Sequence, residues 1–458
     1  MNANSTRHVV VEPDGTGVVA HLGLHALGSF ADRLGLGDSL SARIPVTGER
    51  LPIHDRGKVL VQVALMLAGG GESCADIEHL RIGGELFGLV PSDTTVFRIF
   101  HEMTPATRRQ LGEAMAEVRE KVWSRSAVTT GSSPVILDID ASLVEVHTDT
   151  KEQAAPTYKG GFGFHPMFCF ADATGETLAG LLRPGNAGAN TVVDHITVLD
   201  DAIAQLPTSI ASGHRAGDDS ALTNRSLVVR ADSAGCTEGF LSACRARNVR
   251  FFVTARSNPQ VTAAIGDAIG IDQVWEPSRT QQGGLRDGAA VCELTSLVKD
   301  DKLPPGTRLI VRREPLHPGA QRSLFPSLDF RYWGFYTDAE GSSVELDTTM
   351  RAHAHVEQHI QRLKDSRLCR FPLHQLRSQR QLDDGGGSGR RPGPLVPTAL
   401  HGRVLGQRPA EDPALGHLPR SRSAHPSGPP TCGAHRRRVA RVRRPARGLP
   451  AHRPHHVT

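Results

Sequence analysis

The hydrophobic period of this chain changes at Pro134, and that change limits the folds open to it. Before Pro134, apolar residues recur every three or four positions. Leu60, Val63, Ala64 and Leu67 form one such stripe, which stops at Gly69-Gly70-Gly71. Ser92-Asp93-Thr94-Thr95 offers a cap ahead of Val96, Ile99 and Phe100, and Pro105 to Trp123 carries Leu111, Met115, Val118 and Val122 on one side. After Pro134 the pattern is that of strands. Val135 to Asp140 is almost continuously apolar, and extended pieces follow at 142–148, 162–171 and 177–182. A helical stretch at 191–206, a strand at 227–231, a helix at 238–248 and a strand at 249–254 complete the series. Antiparallel strands, then helix, strand, helix, strand, imply an α/β fold: a mixed sheet covered by helices.

Five segments follow from these shifts. Residues 1–130 read as mainly helical, with a short strand at His8–Glu12, and 131–257 as the first part of the sheet core. Residues 258–350 hold strand-like runs at Val274-Trp275, 289–294, 308–313 and 329–337, too much pattern for a loop, and are expected to form an inserted β-rich subdomain. Residues 351–375 return to helix. Residues 376–458 lose all apolar periodicity. From Ser421 onward there are nine Arg and no Asp or Glu, so this tail is either a disordered basic arm that grips phosphates or an out-of-frame, frameshifted C-terminus of GC-rich origin.

The formal net charge of +5 permits a nucleic-acid partner without requiring one. The seven Cys are scattered and form no Cys-x-x-Cys pair, which disfavours structural zinc and suits a reducing compartment. The polar first residues lack an apolar signal core, and Val59 to Ala68 is too short to span a bilayer. A cytoplasmic protein with no membrane partner is expected.

Three acids stand out. Asp140 ends the strand Val135–Asp140, Asp232 follows Leu227–Ala231, and Glu357 lies in the helical stretch Arg351 to Leu368. Carboxylates at strand ends and on a facing helix can converge on divalent metal, the chemistry of phosphodiester cleavage. Taken singly, each has a plainer reading, as a turn residue or a solvated helix residue. Asp138 lies two positions from Asp140 and points the same way from a strand, so periodicity does not separate them.

The surrounding motifs are longer. They are Asp138-Ile139-Asp140-Ala141-Ser142-Leu143-Val144-Glu145-Val146-His147, then Lys151 to Pro166 with Tyr158-Lys159-Gly160-Gly161-Phe162-Gly163-Phe164-His165-Pro166, then Leu182-Arg183-Pro184-Gly185-Asn186-Ala187-Gly188-Ala189-Asn190, then Arg230-Ala231-Asp232-Ser233-Ala234-Gly235. Over residues 8 to 375 the chain resembles the IS1380 family of bacterial insertion-sequence transposases, a branch of the DDE enzymes related to the IS4-like group. The resemblance implies a ribonuclease-H-like catalytic core with an inserted β-rich region, preceded by a small helical region that binds transposon ends. It places the catalytic, metal-binding acids on Asp140, Asp232 and Glu357, with Asp138 as a supporting or turn residue. Lys364, seven residues after Glu357, matches the Lys of the IS4-like helix signature, whereas His353 and Met350 replace its Arg and Tyr.

The resemblance further implies Mg²⁺ as cofactor, with Mn²⁺ able to substitute. Its partners would be double-stranded DNA carrying terminal inverted repeats and target DNA, with a homodimer assembled on DNA and bound to the nucleoid. Lys159, Arg183, Asn190 and Trp333 are candidate DNA contacts; a solvated hairpin Lys, a solvated loop and a core Trp are the competing readings. Trp275 shares the reading given to Trp333. The alternatives to an active transposase are a remnant that still binds DNA ends and a nuclease of the same fold without strand transfer.

Overall fold

A computed structural model of the chain describes residues 10–12, 22–44, 52–126, 131–146, 154–298, 302–317, 330–365 and 441–443. The helical N-terminal segment follows its sequence signals. The helix Arg56–Ala68 starts at Asp55, whose side chain accepts from the Lys58 N–H, and stops at Gly69. Ser92 caps Asp93–His101 and Thr104 caps Pro105–Trp123 in the same way. Their apolar faces meet in one core that includes Leu40, Leu60, Val63, Ile77, Val96, Leu111 and Val118. The long helix Pro105–Trp123 also joins this region to the sheet. Buried Arg119 and the Trp123 indole both donate to Glu176, so a single buried carboxylate takes a charge and a hydrogen bond from one helix.

Fourteen strands are described: β1 (Val10–Glu12), β2 (Val135–Ala141), β3 (Val144–Glu145), β4 (Ala155–Pro156), β5 (Phe162–Phe164), β6 (Met167–Ala171), β7 (Glu176–Leu181), β8 (Leu227–Ala231), β9 (Val249–Thr254), β10 (Glu276–Arg279), β11 (Leu285–Glu293), β12 (Arg308–Pro315), β13 (Phe330–Thr337) and β14 (Arg441–Arg443). Nine of them form one sheet in the order β10-β11-β12-β13-β9-β8-β2-β6-β7. The right-hand part has β2, β6 and β7 antiparallel, with β8 and then β9 parallel to β2. That is the ribonuclease-H-like arrangement: a meander followed by two crossover strands whose helices pack on the sheet.

The sequence reading set 258–350 apart as a β-rich subdomain. Its strands instead lengthen the core sheet, because β13 pairs antiparallel with the edge of β9 through Phe335↔Thr254 and Thr337↔Phe252. The pairing covers an edge that would otherwise present open backbone groups. This stretch also holds a helix, Pro259–Ala268, capped by Asn258, and Val274 lies in a one-turn 3-10 helix rather than in a strand.

Residues 162–171 were expected to form one strand. They break at His165-Pro166 into β5 and β6, since proline removes a ladder donor. β5 belongs to a separate three-stranded sheet, β3-β5-β4. Gly163 makes that sheet possible: a Cβ there would meet the Val144 carbonyl oxygen at 2.1 Å.

Strand alternation divides the main sheet into two faces. Val135, Leu137 and Ile139 of β2, with Val229, Ala231, Phe251 and Val253, join the main apolar core beneath the helices Val192–Ala204 and Glu238–Arg245. The other face carries Asp138, Asp140, Phe168, Phe170 and Arg230, and the helices Ser343–Arg351 and His355–Asp365 lie over it. A one-turn 3-10 segment, Ala352–Ala354, joins those two helices, so the helix expected from Arg351 begins instead at His355.

Of the tail read as disordered or out of frame, Arg441–Arg443 form β14, paired with β1. The rest of 376–458, and the end of the expected helix at 366–368, lie outside the described residues.

Candidate active site

The two aspartates are brought together by strand register. β2 and β8 run parallel with Asp138 opposite Arg230 and Ile139 opposite Ala231. One step further, Asp140 and Asp232 leave adjacent strand ends side by side, about 4.8 Å apart in the pairing direction. Asp232 also serves as a turn residue. Its Oδ1 accepts from the Ala234 N–H at 2.9 Å and caps the turn Ser233–Gly235. Asp140 accepts from the Ala141 N–H at 2.7 Å.

Glu357 acts on Asp140 through its charge, from the helix that covers this face. The helix His355–Asp365 sets Val356, Ile360 and Leu363 against Phe168 and Phe170 of β6, the strand next to β2. Glu357 stands exposed one position on from Val356. Electrostatics link the three acids. Burial first, then the charges of Asp232 and Glu357, raise the Asp140 carboxyl to about 6 against the opposing pull of the Ala141 N–H and His353. Crowded like charges of this kind favour a cation. Three carboxylates are a hard-oxygen donor set suited to a divalent ion. Among the described residues, no three His, Cys, Asp or Glu side chains are drawn in to ligation distance. The donor types fit the ion.

Asp138 is separated from Asp140 by its surroundings. It is fully buried, and its two oxygens receive Arg230 Nε at 2.7 Å and Nη2 at 2.6 Å. His353 Nδ1 adds a contact to Oδ1 at 2.8 Å. Although burial alone would raise it, these partners hold the Asp138 carboxyl below the usual range. It sits in mid-strand rather than in a turn, and no lone pair direction is left open to solvent.

The sequence reading missed Arg230 and Asp172. Arg230 is buried in an apolar strand, and a charge in such a run requires a counter-charge, which was the available signal. Its Nη2 lies 2.8 Å from Asp172 Oδ1, and its Nη1 donates to the Thr349 carbonyl at 2.8 Å.

The expected DNA contacts divide. Lys159 is exposed at the tip of the small sheet, with its ammonium 5.8 Å from the ring of exposed Tyr158. Asn190 is exposed as well. Arg183 is not a surface contact. It is 1 % exposed, donates to the His165 and Gly188 carbonyls, and pairs with Asp194 at 3.1 Å. Its planar fork staples the Gly-rich turn to the helix behind it. Trp333 is half-buried, with the Arg312 guanidinium 4.7 Å from its ring and Phe335 at 5.9 Å. The ring is thus in contact with a cation and an aromatic neighbour of the protein itself. Trp275 is a core residue whose indole donates to the Ala268 carbonyl. Lys364 lies half-exposed two turns after Glu357.

No helix among the described residues is long and apolar enough to cross a membrane. No curated protein matches the chain. Among solved structures it is similar to the piggyBac transposase in its synaptic complex with hairpin DNA, with a TM-score of 0.35 and 10% identity over 77% of this chain and 70% of that one. Residues 1–380 match the family model described as transposase DDE domain group 1, and the chain belongs to that family.

Proposed function

We propose that this transposase belongs to the IS1380 branch, cuts DNA at the ends of an insertion sequence and joins the freed 3′-hydroxyl to target DNA. Asp140, Asp232 and Glu357 are its catalytic carboxylates. The observation that carries the reading is the register that sets Asp140 beside Asp232, with the Glu357 charge acting on Asp140 from the covering helix.

DDE transposases generally use divalent metal ions. Here the three carboxylates would hold Mg²⁺, or Mn²⁺ in its place, which supplies Lewis-acid activation of the attacking oxygen and neutralises charge on the leaving oxygen. The chain does the rest by position. Asp140 and Asp232 would present their carboxylates from adjacent strand ends and Glu357 from the covering helix. Lys364 brings a positive charge along the same helix for a neighbouring phosphate, and the helical region 1–130 recognises the terminal repeats within a dimer assembled on DNA.

Asp140→Asn, Asp232→Asn and Glu357→Gln each remove a charge at nearly constant size. Each is expected to abolish Mg²⁺-dependent cleavage of an end-containing duplex while end binding persists. Cleavage at the wild-type rate by any one of them would remove that residue from the set. A strand-transfer assay on the same duplex distinguishes a transposase from a nuclease that only hydrolyses, and end binding without cleavage by the wild-type chain would mark a remnant.

The family match stops at residue 380, close to where apolar periodicity is lost. This supports reading the remainder as sequence from another frame. Translating the encoding DNA in all frames past codon 375 should restore a Leu-rich helical segment; if none appears, the basic-arm reading takes its place.

A further inference from the structure

We infer that Asp138, Arg230 and His353 form a positioning clamp that sets where Glu357 stands relative to Asp140 and Asp232. The inference rests on the catalytic reading above and concerns residues outside the acid set.

The clamp lies one pleat beneath the acids. Asp138 and Arg230 are register partners on β2 and β8, and each is two residues before its acidic neighbour, so all four side chains leave the same face. The buried guanidinium grips Asp138 with two parallel bonds of 2.6–2.7 Å, a geometry that fixes both side chains in plane. From this rigid rung two arms reach the covering layer. Arg230 Nη1 donates to the Thr349 carbonyl in the last turn of the helix Ser343–Arg351. His353 Nδ1 meets Asp138 Oδ1 at 2.8 Å from within the joint Ala352–Ala354.

Both arms therefore hold the joint from which the Glu357 helix departs. His353 precedes Glu357 by four residues, about one helical turn, so a shift of the joint passes directly to the carboxylate. A third contact sits beside them: His355 Nδ1 lies 3.5 Å from Asp172 Oδ1, and Asp172 pairs with the same guanidinium. Farther from the acids, buried Asp347 takes Arg312, Arg351 and Ser278, which ties the preceding helix to β10 and β12. The sheet extension thus anchors one end of the helix pair and the core rung anchors the joint. Without the rung, apolar contacts and the longer His355–Asp172 contact would seat the Glu357 helix, and apolar contacts tolerate sliding.

The test compares two replacements of similar chemistry and different reach. In His353→Asn the amide nitrogen falls near the position of Nδ1 and keeps the bond to Asp138. In His353→Gln the nitrogen lies one bond farther out and loses it. Binding of Mn²⁺ to the full-length chain, followed by the electron paramagnetic resonance of the free ion, is the readout; thermal melting of each variant is measured beside it. Glu357→Gln is the reference. We expect His353→Gln to weaken Mn²⁺ binding about 10- to 100-fold, as loss of a supporting contact typically does. His353→Asn should stay within about threefold of wild type, with both variants melting alike. If Glu357→Gln weakens binding and His353→Gln matches wild type, the clamp is overturned while the catalytic reading stands. If Glu357→Gln itself leaves binding unchanged, the metal-holding role of Glu357 fails, and the clamp fails with it.

Discussion

The two faces of strands β2 and β8 use alternate residues of the same strands for opposite ends. One face is Leu137, Ile139, Val229 and Ala231, each at most 1 % exposed and packed under helices. The other is Asp138, Asp140, Arg230 and Asp232, a ladder of charge that is sealed at its lower rung and opens to solvent at its upper one. The first face holds the sheet together without regard to chemistry. The second needs that rigidity, because carboxylates set by register are only as well placed as the strands that carry them.

Crossing the two faces by mutation gives the largest expected effects. Asp232→Asn should lower cleavage by roughly 10³-fold, the rate equivalent of several kcal/mol of charge stabilisation, with little change in melting temperature. Leu137→Ala should do the reverse. It should cost about 2–5 kcal/mol of folding stability and leave cleavage per folded molecule near wild type. Denaturant melts and single-turnover cleavage on both variants decide it; a large catalytic loss in folded Leu137→Ala would erase the division between the faces.

The sealed rung should behave as a structural ion pair. Arg230→Met strands a buried carboxylate on Asp138 and should destabilise the protein by about 3–5 kcal/mol. The double variant Asp138→Leu, Arg230→Met removes both charges and should recover part of that loss. Failure of the double variant to recover any stability would show that the bonds to Thr349 and His353 matter more than the pair.

The open rung should cost stability in the metal-free protein. Asp140 has a folded value of about 6 against an ordinary value of 3.8. A carboxyl raised on folding favours the folded state when protonated, and that advantage disappears as pH rises through the folded value. Asp140→Asn should therefore stabilise the chelator-treated protein above about pH 6, on the order of 1–3 kcal/mol, and make little difference below about pH 4. A stability loss above pH 6 would mean that Asp140 is held by contacts rather than crowded by neighbours.

Much of this was legible in the sequence, and what was not has a common cause. The helix cap at Ser92, the helix Pro105–Trp123, and the strands that lead to Asp140 and Asp232 are local patterns, and they fold as read. The contact between His353 and Asp138 spans 215 residues, and nothing within either segment announces it. The same distance hid the pairing of β13 with β9, so strands correctly read as β were assigned to a separate unit. Arg183 misled in another way. An Arg among Gly, Pro and Asn reads as surface, whereas here the loop folds over it and uses its donors to satisfy carbonyls of backbone that has no ladder of its own.

The smallest effect separates Lys159 from Arg183, two cations on the same side of the acids in sequence that the structure sends to opposite fates. If the exposed Lys159 meets a phosphate, Lys159→Ala should weaken duplex binding by a few-fold at moderate salt. It should also reduce the slope of log K against log salt by about 0.9, the release of one counterion, without changing the preference for end sequence. Arg183→Ala leaves Asp194 and two carbonyl partners to be rehydrated, so its effect should appear as a lower melting temperature, with the salt slope of the folded fraction unchanged. Titrations at several salt concentrations, with each protein held well below its melting point, separate the two. A reduced slope for Arg183→Ala would mean that DNA opens the Gly-rich turn and draws the guanidinium out. Burial of a cation in this structure would then not predict its role on DNA, and the division into a sealed and an open rung would not extend beyond β2 and β8.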